Sequence, residues 1–104
     1  MIAMSLRIAA AKHEIAELCR RRRIRKLAFF GSVLRDDFGP DSDVDVLVEF
    51  EPGVHVGFFE LYRIEQELSR YLDGRKVDIN TPKSLSKYFR DDVLAEAEVL
   101  YAQA

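Results

Sequence analysis

Asp43 and Asp45 stand two residues apart in the stretch Asp43-Val44-Asp45-Val46-Leu47-Val48-Glu49-Phe50, and a third carboxylate, Asp78, lies within Lys76-Val77-Asp78-Ile79-Asn80. In an extended segment a spacing of two puts both side chains on one face, with α-carbons ~6.5–7 Å apart. If the two segments pair and share an apolar face, all three carboxylates converge on the other side of a sheet. Like charges that close raise one another's pKa and oppose folding unless a cation neutralises them. All-oxygen donors suit Mg2+ or Mn2+ better than zinc. Such a donor set is what a two-metal phosphoryl-transfer centre uses. The competing reading is that an exposed strand alternates apolar with polar residues and Asp is its solvent side. Asp is a poor strand former, however, and two in one strand are a local conflict of the kind that functional sites carry.

Gly31-Ser32 follows the apolar run Leu27-Ala28-Phe29-Phe30 and opens a short segment, Val33 to Phe38, with room for about two helical turns. A glycine there lets a phosphate approach the backbone, a helix N-terminus offers free N–H groups, and a serine hydroxyl adds a donor. A plain strand-to-helix turn with a serine cap reads the same way, so this pair by itself decides nothing.

The elements that must position these groups are legible from periodicity. Met4, Ile8, Ala11, Ile15 and Leu18 recur at helical spacing, predicting a helix from about Ser5, its N-cap, to Arg23, with arginines at the C-terminal end that the macrodipole favours. Residues 27–30 read as a buried strand and 43–50 as an alternating one. Phe58, Leu61, Ile64, Leu68, Tyr71 and Leu72 give a second long helix, and residues 76–80 a third strand. Thr81-Pro82 reads as a helix opener, and Val93, Ala97 and Leu100 as the stripe of a final helix capped by Asp91. The expected order is α-β-α-β-α-β-α. The expected class is α/β (α+β), a small mixed β-sheet with helices packed on its apolar face.

Length and composition bound the rest. A chain of 104 residues, 48% hydrophobic and 33% charged, fits one globular domain, 1–104, and excludes disordered and low-complexity classes. The net charge is −2, yet six of the sixteen basic residues are gathered in Arg20, Arg21, Arg22, Arg23, Arg25 and Lys26. A basic coat over the whole surface is therefore excluded, and direct nucleic-acid binding is not expected. The cluster itself reads either as a docking patch for an acidic partner or RNA, or as a solvated helix end. The single cysteine, Cys19, allows no internal disulfide and sits in the apolar stripe as a small core residue. His13 and His55 lack ligand-like spacing. The four tyrosines read as core-edge residues, and Phe58, Phe59, Val54 and Val56 as an apolar cluster available to a partner. No window reaches ~20 apolar residues and the N-terminus carries no signal-peptide pattern, so the expected location is a reducing cytoplasm, away from membranes.

Taken together, the motifs are far more specific than any one of them. Gly31-Ser32, ten intervening residues and Asp43-x-Asp45, in GSVLRDDFGPDSDVDVLVEF, resemble the signature of the nucleotidyltransferase superfamily typified by DNA polymerase beta. Arg35 after Gly-Ser, Ser42 before the first Asp, KVDINTP and the closing RDDVLAEAEVLYA look like the minimal nucleotidyltransferase (MNT) domains that act as antitoxins to HEPN-domain RNase toxins. The resemblance covers nearly the whole chain; one departure is Asp36, where glycine is common. It implies that Gly31 and Ser32 hold the β- and γ-phosphates of ATP, the substrate. It further implies that Asp43 and Asp45 bridge two Mg2+ ions, or Mn2+, and that Asp78 completes the metal site and activates the attacking hydroxyl. Arg35 is then a phosphate contact, or else pairs with Asp36, Asp37 or Asp41 on the surface. The implied activity is transfer of AMP to a hydroxyl, a tyrosine, of a cognate HEPN toxin, which neutralises it. Two alternatives stand beside it: an antitoxin that only binds, with a vestigial site, and a nucleotidyltransferase acting on RNA or a small molecule with a partner subunit.

Overall fold

The structure, a computed structural model, describes residues 11–31, 43–72, 74–85, 87–88 and 90–103. Helix α1 spans Lys12–Arg21 and leads into strand β1, Ile24–Phe30; strand β2 spans Val44–Phe50 and helix α2 Phe58–Tyr71. Strand β3, Val77–Asn80, helix α3, Arg90–Glu96, and strand β4, Glu98–Ala102, complete the order. The strands form one mixed sheet in the order β3-β2-β1-β4, with β1 antiparallel to both β2 and β4 and β2 parallel to β3. The parallel pair needs a crossover, and α2 supplies it.

The apolar stripes of α1 and α2 both close on the same face of the sheet. Ile15, Leu18 and Cys19 of α1 and Ile64 and Leu68 of α2 meet Leu27, Phe29, Val44, Val46, Val48 and Val77 in one buried cluster. Burying a Leu, Ile or Val side chain of this kind contributes ~1.5–3 kcal/mol, so this face carries most of the hydrophobic stabilisation. A smaller cluster of Ala28, Leu47 and Leu85, flanked by Phe30, Val93 and Ala97, occupies part of the opposite face. Helix α1 ends at Arg22, whose N–H donates to the Leu18 carbonyl at 2.9 Å, and at Arg23, which turns the chain with a φ of 58°. The Arg23 carbonyl then accepts the Glu51 N–H at 2.9 Å and ties this turn to the end of β2.

Two expectations at the C-terminal end are corrected. Thr81-Pro82 opens no helix: Thr81 and Ser84 exchange side-chain and backbone hydrogen bonds at 2.9 and 3.3 Å in a closed turn. The predicted final helix stops at Glu96, and Leu100, expected on its stripe, belongs to β4. The edge of β1 that β2 leaves open overrides helical spacing there, taking Tyr101 opposite Leu27 and Val99 opposite Ala28. β1 is also longer than expected, reaching back through Arg25 and Lys26 to Ile24. Ser5 and the segment Val33 to Phe38 lie outside the described residues.

Cys19 is fully buried, and burial pushes its thiol up to about 12 despite the opposing charge of Arg20. Only the thiolate reacts. Native protein at pH 8 is therefore expected to resist iodoacetamide over hours that suffice to alkylate it in denaturant, a difference read by mass spectrometry.

Candidate active site

The carboxylates owe their placement to strand alternation. Val44, Val46 and Val48 of β2 and Val77 and Ile79 of β3 point into the main core, so Asp45 and Asp78 project from the opposite face, and Asp43, just before β2, continues that alternation. The parallel register sets Asp45 directly opposite Asp78, and the Val44 N–H donates to the Lys76 carbonyl at 2.8 Å, which fixes that register. On the other side Phe30, the last residue of β1, pairs with Asp45. The site thus sits where β1 ends and β2 and β3 begin. Asp43 and Asp78 are exposed and Asp45 is half-buried.

Gly31 follows β1 and lies against the Asp45 carboxylate. Its φ of 75° is in the left-handed region that side chains rarely adopt, and a Cβ there would strike Asp45 Oδ2 and stand 3.2 Å from Asp45 Cγ. The glycine leaves a recess of bare backbone beside a carboxylate. Ser32 and Arg35, the other two residues expected at the nucleotide, lie outside the described residues.

The donors suit a hard divalent ion. Carboxylate oxygens on adjacent strands next to an open recess match Mg2+, which is usually held by one or two carboxylates plus substrate phosphates. The three side chains share a face without forming a cage: among the described residues no group of three or more Asp, Glu, His or Cys side chains is close enough to hold an ion. Hollows of about 390 Å3, lined by Val48, Phe50, Thr81 and Pro82, and about 400 Å3, lined by Tyr62, Arg63 and Arg70, lie away from the carboxylates.

The basic cluster is largely occupied by the protein itself. Arg20 pairs with Glu17 and Arg25 with Glu49, both at 2.6 Å, and Arg21 and Arg22 both grip Glu67, at 2.6 and 3.1 Å. Burial alone would raise the Glu67 carboxyl, but hydrogen bonds and charge from Arg21 and Arg22 prevail and hold it below its usual range. The exposed pairs add little stability individually, yet together with the half-buried Arg22–Glu67 pair they offset much of the charge of the patch and weaken its reading as an RNA surface. The aromatic expectations divide. Tyr71 and Tyr101 pack on the core, whereas Tyr62 and Tyr88 are 60% and 86% exposed, with Phe58 and Phe59 at 90% and 86%. Phe58, Phe59 and Tyr62 open α2 beyond the end of β2, away from the end of the sheet that bears the carboxylates. No helix of the described residues is long and apolar enough to cross a membrane.

Sequence reasoning missed one polar contact beside the site. Glu65 of α2 accepts the backbone N–H of Ile79, the residue after Asp78, at 3.0 Å. Its signal in the sequence is faint, a glutamate between the buried Ile64 and Leu68.

Residues 13–100 match the family model described as the nucleotidyltransferase domain. The protein adenylyltransferase MntA of Thermococcus cleftensis is 38% identical over 91 residues, spanning 86% of this chain and 84% of that protein. A solved structure provisionally described as a minimal nucleotidyltransferase superposes with a TM-score of 0.71 at 34% identity, covering 86% of this chain and 89% of the other. A tri-AMPylated HEPN toxin of Shewanella oneidensis in complex with its MNT antitoxin gives a TM-score of 0.66 at 21% identity, covering 91% and 72%, a likeness of fold.

Proposed function

We propose that this chain, which belongs to the nucleotidyltransferase domain family, transfers AMP from ATP to a tyrosine hydroxyl of a cognate HEPN-domain toxin and so neutralises it. The observation that carries this reading is the register of Asp45 opposite Asp78 with bare Gly31 backbone beside them. The adenylyltransferase name of the Thermococcus relative and the AMPylated toxin in the Shewanella complex support the nucleotide and the partner.

Asp43 and Asp45, joined by Asp78, would hold two Mg2+ ions, with Mn2+ a substitute. Bound there, the ions would polarise the α-phosphate and offset charge on the leaving group. The protein's own part is positioning. Gly31 leaves room for the β- and γ-phosphates, with Ser32 donating to them and Arg35 adding a cation. Asp78 takes the proton of the incoming hydroxyl. The acceptor oxygen then bonds to the α-phosphorus as the bond to the β-phosphate oxygen breaks, and pyrophosphate departs. On this reading the toxin brings the surface that presents the acceptor hydroxyl to the site. Such a reaction belongs in the cytoplasm, where ATP and Mg2+ are abundant.

The test is to incubate the protein with the product of the neighbouring gene, α-labelled ATP and Mg2+. Label should appear on the toxin, at tyrosine by peptide mapping, and toxin RNase activity should fall in step. A toxin that stays unlabelled while wild-type protein is folded and in excess would overturn the proposal.

A further inference from the structure

We infer that Glu65 is a positioning residue for Asp78, an inference that rests on the site reading above. β3 has four residues and, among the described residues, lies at the sheet edge with β2 as its single neighbour. In a parallel ladder the peptide groups of one strand point alternately toward the neighbour and away from it. The Lys76 carbonyl faces β2, where it accepts the Val44 N–H, so by alternation the Asp78 carbonyl faces β2 as well. The N–H of the same peptide plane belongs to Ile79 and points outward, where no strand of the described residues follows.

Glu65 fills that place, accepting the Ile79 N–H at 3.0 Å through Oε2. The helix that carries it is anchored on both sides of the contact, since Ile64 and Leu68 are fully buried. The peptide joining Asp78 to Ile79 is thus held by β2 on one side and a carboxylate on the other, and a charged acceptor makes the stronger bond. Among the described residues Glu65 forms no ion pair, whereas Glu60 and Glu67 of the same helix both pair with arginines at the end of α1. It is spent on the backbone of the strand that bears Asp78. Without it, a four-residue edge strand would keep one ladder and the core contacts of Val77 and Ile79, and the Asp78 carboxylate would wander relative to Asp45.

Three measurements on Glu65→Ala and Glu65→Gln test this: hydrogen exchange at the Ile79 amide, Mn2+ affinity by paramagnetic broadening, and adenylyl transfer to the toxin. Glu65→Gln retains an acceptor oxygen and should stay within about threefold of wild type in all three. Glu65→Ala should quicken Ile79 exchange at least about tenfold and weaken Mn2+ binding. It should lower kcat by roughly tenfold to a hundredfold, the scale of an ångström-level misplacement, with the KM for ATP changed by less than about threefold. In an Asp78→Asn background the same substitution should cost little more activity. If Glu65→Ala unfolds, Glu65→Asp, one methylene too short to reach the amide, takes its place with the same expected losses. Unchanged Ile79 exchange, or an equal loss of activity with and without Asp78, would overturn the inference. If wild type transfers no AMP, the proposed function falls, while Ile79 exchange and Mn2+ affinity still decide the role of Glu65.

Discussion

Asp43→Asn combined with Asp45→Asn is expected to lower AMP transfer at least about a thousandfold, the effect of removing several kcal/mol of charge stabilisation from the reacting phosphate. Both side chains lie on the open face of the sheet and outside the main core, so the double variant should fold with a Tm within a few degrees of wild type. Asparagine keeps the shape of each residue while removing the negative charge a divalent ion needs. The variant should also still bind the toxin, because only two side chains change and each keeps its shape. Four measurements belong together here: label transfer, thermal melting, co-purification with the toxin, and the toxin's RNase activity. Loss of transfer with intact binding and lost neutralisation identifies catalysis as the means of neutralisation. Full neutralisation by the double variant would mean that binding alone suffices, and the carboxylates would then need another explanation.

Gly31→Ala should be nearly as damaging for a different reason. Its φ of 75° costs an L side chain ~1–2 kcal/mol, and the new Cβ would collide with Asp45. Relief requires either the carboxylate or the turn to move, and a displacement of ~1 Å at reacting groups is enough for roughly a hundredfold loss of rate. The Tm should fall by on the order of 5–10 °C. Gly53→Ala provides the control, since Gly53 has a φ of 82° and a methyl group added there would meet nothing within 4 Å. It should lose comparable stability and keep its transfer activity. Equal activity in the two variants would show that the recess beside Asp45 is unimportant, whereas a selective loss in Gly31→Ala ties the recess to nucleotide binding.

Most of the site is legible in the amino-acid sequence. The i, i+2 spacing of Asp43 and Asp45 dictates a shared face in any extended segment, and the alternation of Val44, Val46 and Val48 says which face is buried. Asp78 is readable as a polar-face residue of a short strand, but its partner in β2 is not. The arginine cluster gives two equal readings because local sequence says nothing about Glu67, 46 residues from Arg21, or Glu49, 24 residues from Arg25. The C-terminal stretch misleads because Val93, Ala97 and Leu100 do fit one helical face, and only the vacant edge of β1 decides that residues 98–102 extend.

What the amino-acid sequence determined by itself was the chemistry on offer: hard oxygen donors at a fixed spacing, a glycine at a strand end, two amphipathic helices and a family signature. Each depends on periods of 2 or 3.6 residues, which the covalent chain enforces locally. The tertiary structure decided which donors meet: Asp45 opposite Asp78, Gly31 against Asp45, Glu65 on the Ile79 amide, and β4 on the edge of β1. These pairings join residues far apart in the chain. Their selection depends on hydrogen-bond ladders and core burial that outweigh the entropy of closing the intervening loops, and no local pattern encodes that balance.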